Sequence, residues 1–178
     1  MSLKISVDTD CIISLFNPDD KIHNHMCSID KLRTLGEINL FVSLKTIDQL
    51  SVIGNEELKY ANSLPKLPNY LVGTIGEQVG TIGSLAGTFG DAKRNETLQQ
   101  KIRCLTRQGV NMRDRQIIID SYLGGMDILL TNDRSLCDNK PAANLHKELG
   151  LLVMGPERLL HYVENSKLSW EGRNERRN

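Results

Sequence analysis

The sequence lacks an excess of either charge: 22 Lys and Arg balance 22 Asp and Glu, for a formal net charge of zero. That excludes a basic domain with a broad electrostatic footprint on nucleic acid, while leaving nucleic-acid chemistry at one local site open. No apolar run approaches the roughly 18 residues that a membrane span needs, so no membrane partner is expected. Cysteine is sparse. Cys11, Cys27, Cys104 and Cys137 form no CxxC pair, which argues against a disulfide framework and for buried thiols in a reducing compartment. There is no GxGxxG and no Walker loop. The opening residues Met1-Ser2-Leu3-Lys4-Ile5-Ser6-Val7-Asp8 carry charge too early for a secretory signal, so a cytoplasmic location is expected.

What is present suits one globular domain. The chain has 178 residues, 39% hydrophobic and 25% charged, enough to bury a core without disulfides or a structural metal. Short apolar runs at Lys4–Asp8, Asn39–Ser43, Asp127–Thr131 and Leu151–Met154 read as buried strands. Between them lie helical stretches: Cys11–Phe16, Lys21–Leu35 stopped by Gly36, Thr46 to about Asn62, Asp114–Leu123 before Gly124-Gly125, and Ala142–Leu149 closed by Gly150. Thr46-Ile47-Asp48-Gln49 resembles a capping box. Pro156 suits the first turn of a last helix through Val163. Strands alternating with helices predict an α/β fold: three layers, α/β/α, around a mainly parallel sheet of four or five strands.

Residues 72–92 repeat with a period of seven, three times over, with apolar residues and glycines at helical spacings. Each Gly opposes an isolated helix by roughly 0.8–1.0 kcal/mol relative to Ala. A flexible loop and a helix that orders only when packed are equally open. The organisation expected is one domain over residues 1–166, with this Gly-rich repeat as an insertion at 70–92 and a polar, frayed tail at 167–178. The shared apolar and Gly seam leaves self-association as a homodimer open.

Four aspartates fall where such a sheet gathers side chains. Asp8 ends the first strand, Asp48 lies in the turn of helix after the second, Asp114 opens a helix, and Asp133 follows the third strand. In an open parallel sheet, strand ends and the following helix starts share one edge, and ligands bind there. Four acids on one edge repel one another unless a cation neutralises them, and Mg²⁺ or Mn²⁺ takes oxygen ligands of this kind. Singly, each acid also suits a local structural role: a turn for Asp8, a helix-dipole contact for Asp48, N-caps for Asp114 and Asp133. Asp120, six residues past Asp114, reads as solvated. His23-Asn24-His25 with Cys27 has metal-like spacing but no partner ligands nearby in sequence.

Five stretches carry a family resemblance: Ile5–Asp10, Val42–Leu50, Asp114–Ile119, Gly125–Arg134 and Gly150–Glu157. In this order they resemble the PIN domains, metal-dependent nucleases that include bacterial toxins of the virulence-associated protein C type. The match covers roughly residues 3–62 and 110–163. The resemblance implies an endoribonuclease that hydrolyses phosphodiester bonds of single-stranded RNA. Asp8, Asp114 and Asp133 would hold one or two Mg²⁺ or Mn²⁺ ions that activate water, and Asp48 would be a further ligand or orient the water. Thr9, Asp10, Thr131 and Asn132 would support the ligands or touch substrate. The family usually carries Glu where this chain has Asp48, and Asn or Ser where it has Asp10. A toxin of this type pairs with an antitoxin protein, so such a partner is open here.

Two other readings use the same residues. Asp8-Thr9-Asp10, Ser43, Asp133 and Asp138 resemble the nucleophile, acid, hydroxyl and metal acids of a haloacid-dehalogenase-like phosphatase. A PIN-like binding module without catalysis is the other, permitted by the shorter Asp48.

Overall fold

The computed structural model describes residues 2–67, 89–106, 112–137 and 139–174. Four parallel strands form one sheet in the order β2-β1-β3-β4: β1 (Leu3–Val7), β2 (Ile38–Phe41), β3 (Ile128–Leu130) and β4 (Leu152–Met154). β3 is buried at all three positions, as a strand covered on both faces is, whereas the edge strand β2 alternates buried and exposed. Successive residues serve opposite faces. Ile5, Val7, Leu40, Ile128, Leu130 and Met154 pack into one core cluster, while Leu129 and Val153 pack into a second.

Helices supply the partners of each face. Between β1 and β2 run α1 (Thr9–Phe16) and α2 (His23–Thr34). Ile12, Met26 and Ile29 from these helices join the first cluster. So do Leu159 and Val163 of the final helix, which runs Pro156–Asn174. Between β2 and β3 lie α3 (Leu44–Leu50), α4 (Asn55–Ser63), α5 (Phe89–Thr106) and α6 (Met112–Leu123); α7 (Arg134–Cys137) and α8 (Asn139–Leu149) lead to β4, after which the final helix is α9. Ile102 of α5, Ile117 to Ile119 of α6 and Leu145 of α8 fill the second cluster. One core on each side of a parallel sheet is the three-layer α/β/α arrangement expected from the strand–helix alternation. Among the described residues no helix is long and apolar enough to cross a membrane.

Gly36 and Gly150 end α2 and α8 as expected, at φ 74° and 72°, a region where a side chain is strained. Several boundaries differ. The helix expected from Thr46 to Asn62 is two helices, because the chain turns at 51–54, where Ile53 and Gly54 donate their N–H groups back to the Leu50 carbonyl. The cap of α3 lies three residues earlier than expected: Ser43 Oγ accepts from Thr46 N at 3.0 Å. α5 was not expected. Its first residues, 89–92, are the end of the heptad repeat, and the rest of that repeat lies outside the described residues. The last helix continues past Val163 to Asn174 instead of fraying at Lys167.

Candidate functional site

β1 and β3 are neighbours whose onward connections diverge: β1 leads out to β2 on one side, and β3 leads to β4 on the other. The carboxyl ends of such a pair open a crevice in which parallel sheets bind ligands. Here those ends are Asp8 and Thr131. The Asp8 N–H donates to the Leu130 carbonyl at 3.0 Å and so keeps the chain in the sheet for one residue beyond β1.

Asp8 is held on both oxygens. Thr9 N donates to Oδ1 and Thr131 Oγ1 to Oδ2, each at 2.7 Å. Thr131 is itself fully buried and accepts from Asp133 N at 3.1 Å, so one hydroxyl links the Asp8 carboxylate to the Asp133 backbone. Asp8 is only 7% exposed. Burial pushes its carboxyl up to about 6, against the pull of those two hydrogen bonds, and the charges of Asp10 and Asp114 add to the rise.

In front of Asp8 lies a cleft of about 390 Å³. Asp8, Asp10, Asp114 and Asp133 line it, with Thr9 and Gln49; Ile13, Val52 and Ile53 form an apolar side. Asp10 enters from the first turn of α1 and Asp114 from the first turn of α6. Asp133 follows β3 and caps α7: its two oxygens accept from Ser135 N at 2.7 Å and Ser135 Oγ at 2.9 Å. Thr9 Oγ1 hydrogen-bonds Gln49 Oε1, tying α1 to α3.

The sequence expectation thus brings Asp8, Asp10, Asp114, Asp133 and Thr9 to one cleft, with Thr131 directly behind Asp8. Asn132 is exposed and does not line it. Asp48 is corrected: it is exposed and lies outside the cleft, while its neighbour Gln49 lines it. The reason is helical phase. Thr46 and Leu50 are buried and mark the inward stripe of α3. Asp48 stands two residues past Thr46, about 200° round the helix, whereas Gln49 stands three past it, on the same side. That signal was available in the sequence, through the apolar spacing rather than the acid.

Asp120 is also corrected. It is buried, accepts from Gln116 Nε2 at 2.8 Å, and is pushed up to about 6 by burial. It lies on the inward side of α6 beside Ile117 to Ile119 and does not line the cleft. His23 Nδ1 meets the Ser14 carbonyl at 3.1 Å and its Nε2 meets Cys27 Sγ at 3.5 Å, a local packing arrangement. Ser43, the hydroxyl of the phosphatase reading, is buried as the α3 cap and does not line the cleft; Asp138 lies outside the described residues.

The donor set suits a hard divalent cation in its chemistry. Four carboxylates meet in one cleft, none of its described lining residues is cationic, and the most buried acid is the one whose carboxyl is raised. Among the described residues no three acidic, histidine or cysteine side chains converge closely enough to enclose an ion. The fit is therefore to an open site that leaves much of the coordination to water or phosphate, as Mg²⁺ commonly does. Compared with models of known protein families and with the sequences of characterised proteins, the chain matches none.

Proposed function

We propose that the chain is a Mg²⁺- or Mn²⁺-dependent endoribonuclease of the PIN type, cleaving single-stranded RNA, and that it acts as the toxin of a toxin–antitoxin pair. The observation that carries the reading is Asp8: a buried carboxylate, fixed on both oxygens at the sheet's switch point, facing three further acids. Asp8 is also the N-cap of α1, but capping alone gains nothing from burial among like charges, whereas a cation ligand does.

Asp8, with Asp10 and Asp114, would hold the ion. When bound, the cation supplies charge neutralisation at the phosphate and lowers the pKa of water. The chain's own groups do the rest. Thr131 and the Thr9 N–H fix the Asp8 carboxylate so that its remaining lone pairs face the cleft. Asp10 and Asp114 add negative charge that draws a cation in, and that same charge repels an RNA backbone until a cation is present. Asp133 is partly committed to capping α7, so its share is to set the cleft's charge and the position of the turn after β3. Val52 and Ile53, 85% and 51% exposed, offer apolar surface beside the acids on which a splayed base can rest.

The test is incubation of the protein with end-labelled single-stranded RNA and Mg²⁺ or Mn²⁺, for the wild type and Asp8→Asn. Endonucleolytic products from the wild type alone, abolished by EDTA, are expected. Absence of cleavage with either metal, or release of phosphate from an aryl phosphate monoester without RNA cleavage, contradicts the reading.

A further inference from the structure

Gln49 stands where an acid was expected, and its surroundings dictate which way its amide points. Its partner, Thr9 Oγ1, is held on the buried first residue of α1. The other polar side chains that face the cleft are carboxylates, which only accept hydrogen bonds. With Oε1 turned toward the Thr9 hydroxyl, Nε2 is not used in that bond, and its N–H donors suit a cleft lined by four acids. The opposite orientation sets a carbonyl oxygen against four carboxylates. A hydroxyl can donate or accept, so the Thr9 bond alone admits either amide orientation; the field of the acids favours the one with Oε1 on Thr9.

We infer that Gln49 is a substrate-binding residue, whose Nε2 donates to a non-bridging oxygen of the bound phosphodiester, and that Thr9 is its positioning residue. The inference rests on the nuclease reading above. An amide at this place has two consequences. It withholds a fifth negative charge from the cleft, on the inner side of α3, which eases the approach of a phosphate. It also supplies N–H donors to a cleft whose other lining side chains are acids, apolar groups and the Thr9 hydroxyl. Lys45 lies one helical turn before Gln49 on the same stripe of α3, so the polynucleotide's path along that helix meets a cation next.

Two substitutions of similar shape separate this role from a merely structural one. Gln49→Met keeps the length and removes the donors; Gln49→Glu keeps the shape and replaces the donors with a charge. Binding of a fluorescently labelled single-stranded RNA is measured by anisotropy with Ca²⁺ in place of Mn²⁺, beside steady-state cleavage with Mn²⁺ and calorimetric titration of Mn²⁺ alone. Loss of a hydrogen bond to a charged group corresponds to at least about a tenfold effect. Gln49→Met is expected to weaken RNA binding and raise KM by about tenfold, with kcat and Mn²⁺ affinity nearly unchanged. Gln49→Glu is expected to weaken RNA binding at least as much while tightening Mn²⁺. Thr9→Val, which frees the amide to turn, is expected to show a smaller rise in KM of the same kind. If the wild type binds Mn²⁺ and cleaves RNA but both Gln49 variants bind RNA like the wild type, the role of Gln49 is overturned and the nuclease reading stands. If the wild type neither binds Mn²⁺ nor cleaves RNA, both fall together.

Discussion

Three buried or half-buried aspartates on this chain do different things, and pH separates them. Asp8 and Asp120 are both raised from the ordinary 3.8 to about 6 by burial. A carboxyl whose folded pKa is raised favours the protonated fold, so its contribution to stability is present at low pH and lost as pH rises from about 4 through 6. Above that range the fold carries the full cost of two buried charges. In EDTA at pH 7.5, Asp8→Asn and Asp120→Asn should each raise stability, by up to about 3 kcal/mol at about 1.4 kcal/mol per pKa unit. The gain should nearly vanish at pH 4, which urea titrations at the two pH values would show. Asp133 behaves oppositely. It accepts from Ser135 N and Ser135 Oγ, so Asp133→Ala should lower stability by about 1 kcal/mol, as the loss of a helix cap does. A gain in stability from Asp133→Ala would remove the cap reading. Of these three, only the position of Asp8 and Asp133 was legible in the sequence, because strand ends are marked by apolar runs. The burial of Asp120 was not, since it depends on what packs over α6.

At the scale of the element, α3 decides which residues face the cleft. Ser43 Oγ accepts from Thr46 N and shares a 3.0 Å contact with Thr46 Oγ1, all of it buried. Ser43→Ala should cost about 1–2 kcal/mol, since a cap is lost and a buried hydroxyl loses its partner. Because α3 carries Gln49, the same variant should loosen the Thr9–Gln49 link. Hydrogen exchange at the start of α3 is the readout, and unchanged protection there would contradict it. The helices flanked by Gly36 and Gly150 could be read from sequence because a left-handed residue marks each end. The break between α3 and α4 could not. Residues 51–54 contain no proline, and the turn is closed by the Ile53 and Gly54 N–H groups on the Leu50 carbonyl. The apolar stripe of α5, Leu98, Ile102 and Leu105, is short, sits among polar residues and follows the Gly-rich repeat, which drew the eye to period seven instead.

On the scale of the whole molecule, the sheet explains why distant residues meet. Asp8, Asp114 and Asp133 are separated by over a hundred positions at the extremes, yet the all-parallel pairing of the strands brings every carboxyl end to one edge. The fold class followed from the alternation of apolar runs and helical stretches; the pairing of β1 with β3, which places Asp8 against Thr131, came only with the structure. The central claim is that this edge holds a divalent cation, and thermal unfolding at pH 7.5 with increasing Mn²⁺ tests it most directly. A ligand at about 100 times its Kd stabilises the fold by about 2.7 kcal/mol. The wild type should melt progressively higher as Mn²⁺ increases. Asp120→Asn should start higher and respond in the same way, whereas Asp8→Asn should start higher and not respond at all. A wild type indifferent to Mn²⁺, or an Asp8→Asn variant that responds as the wild type does, would contradict the account.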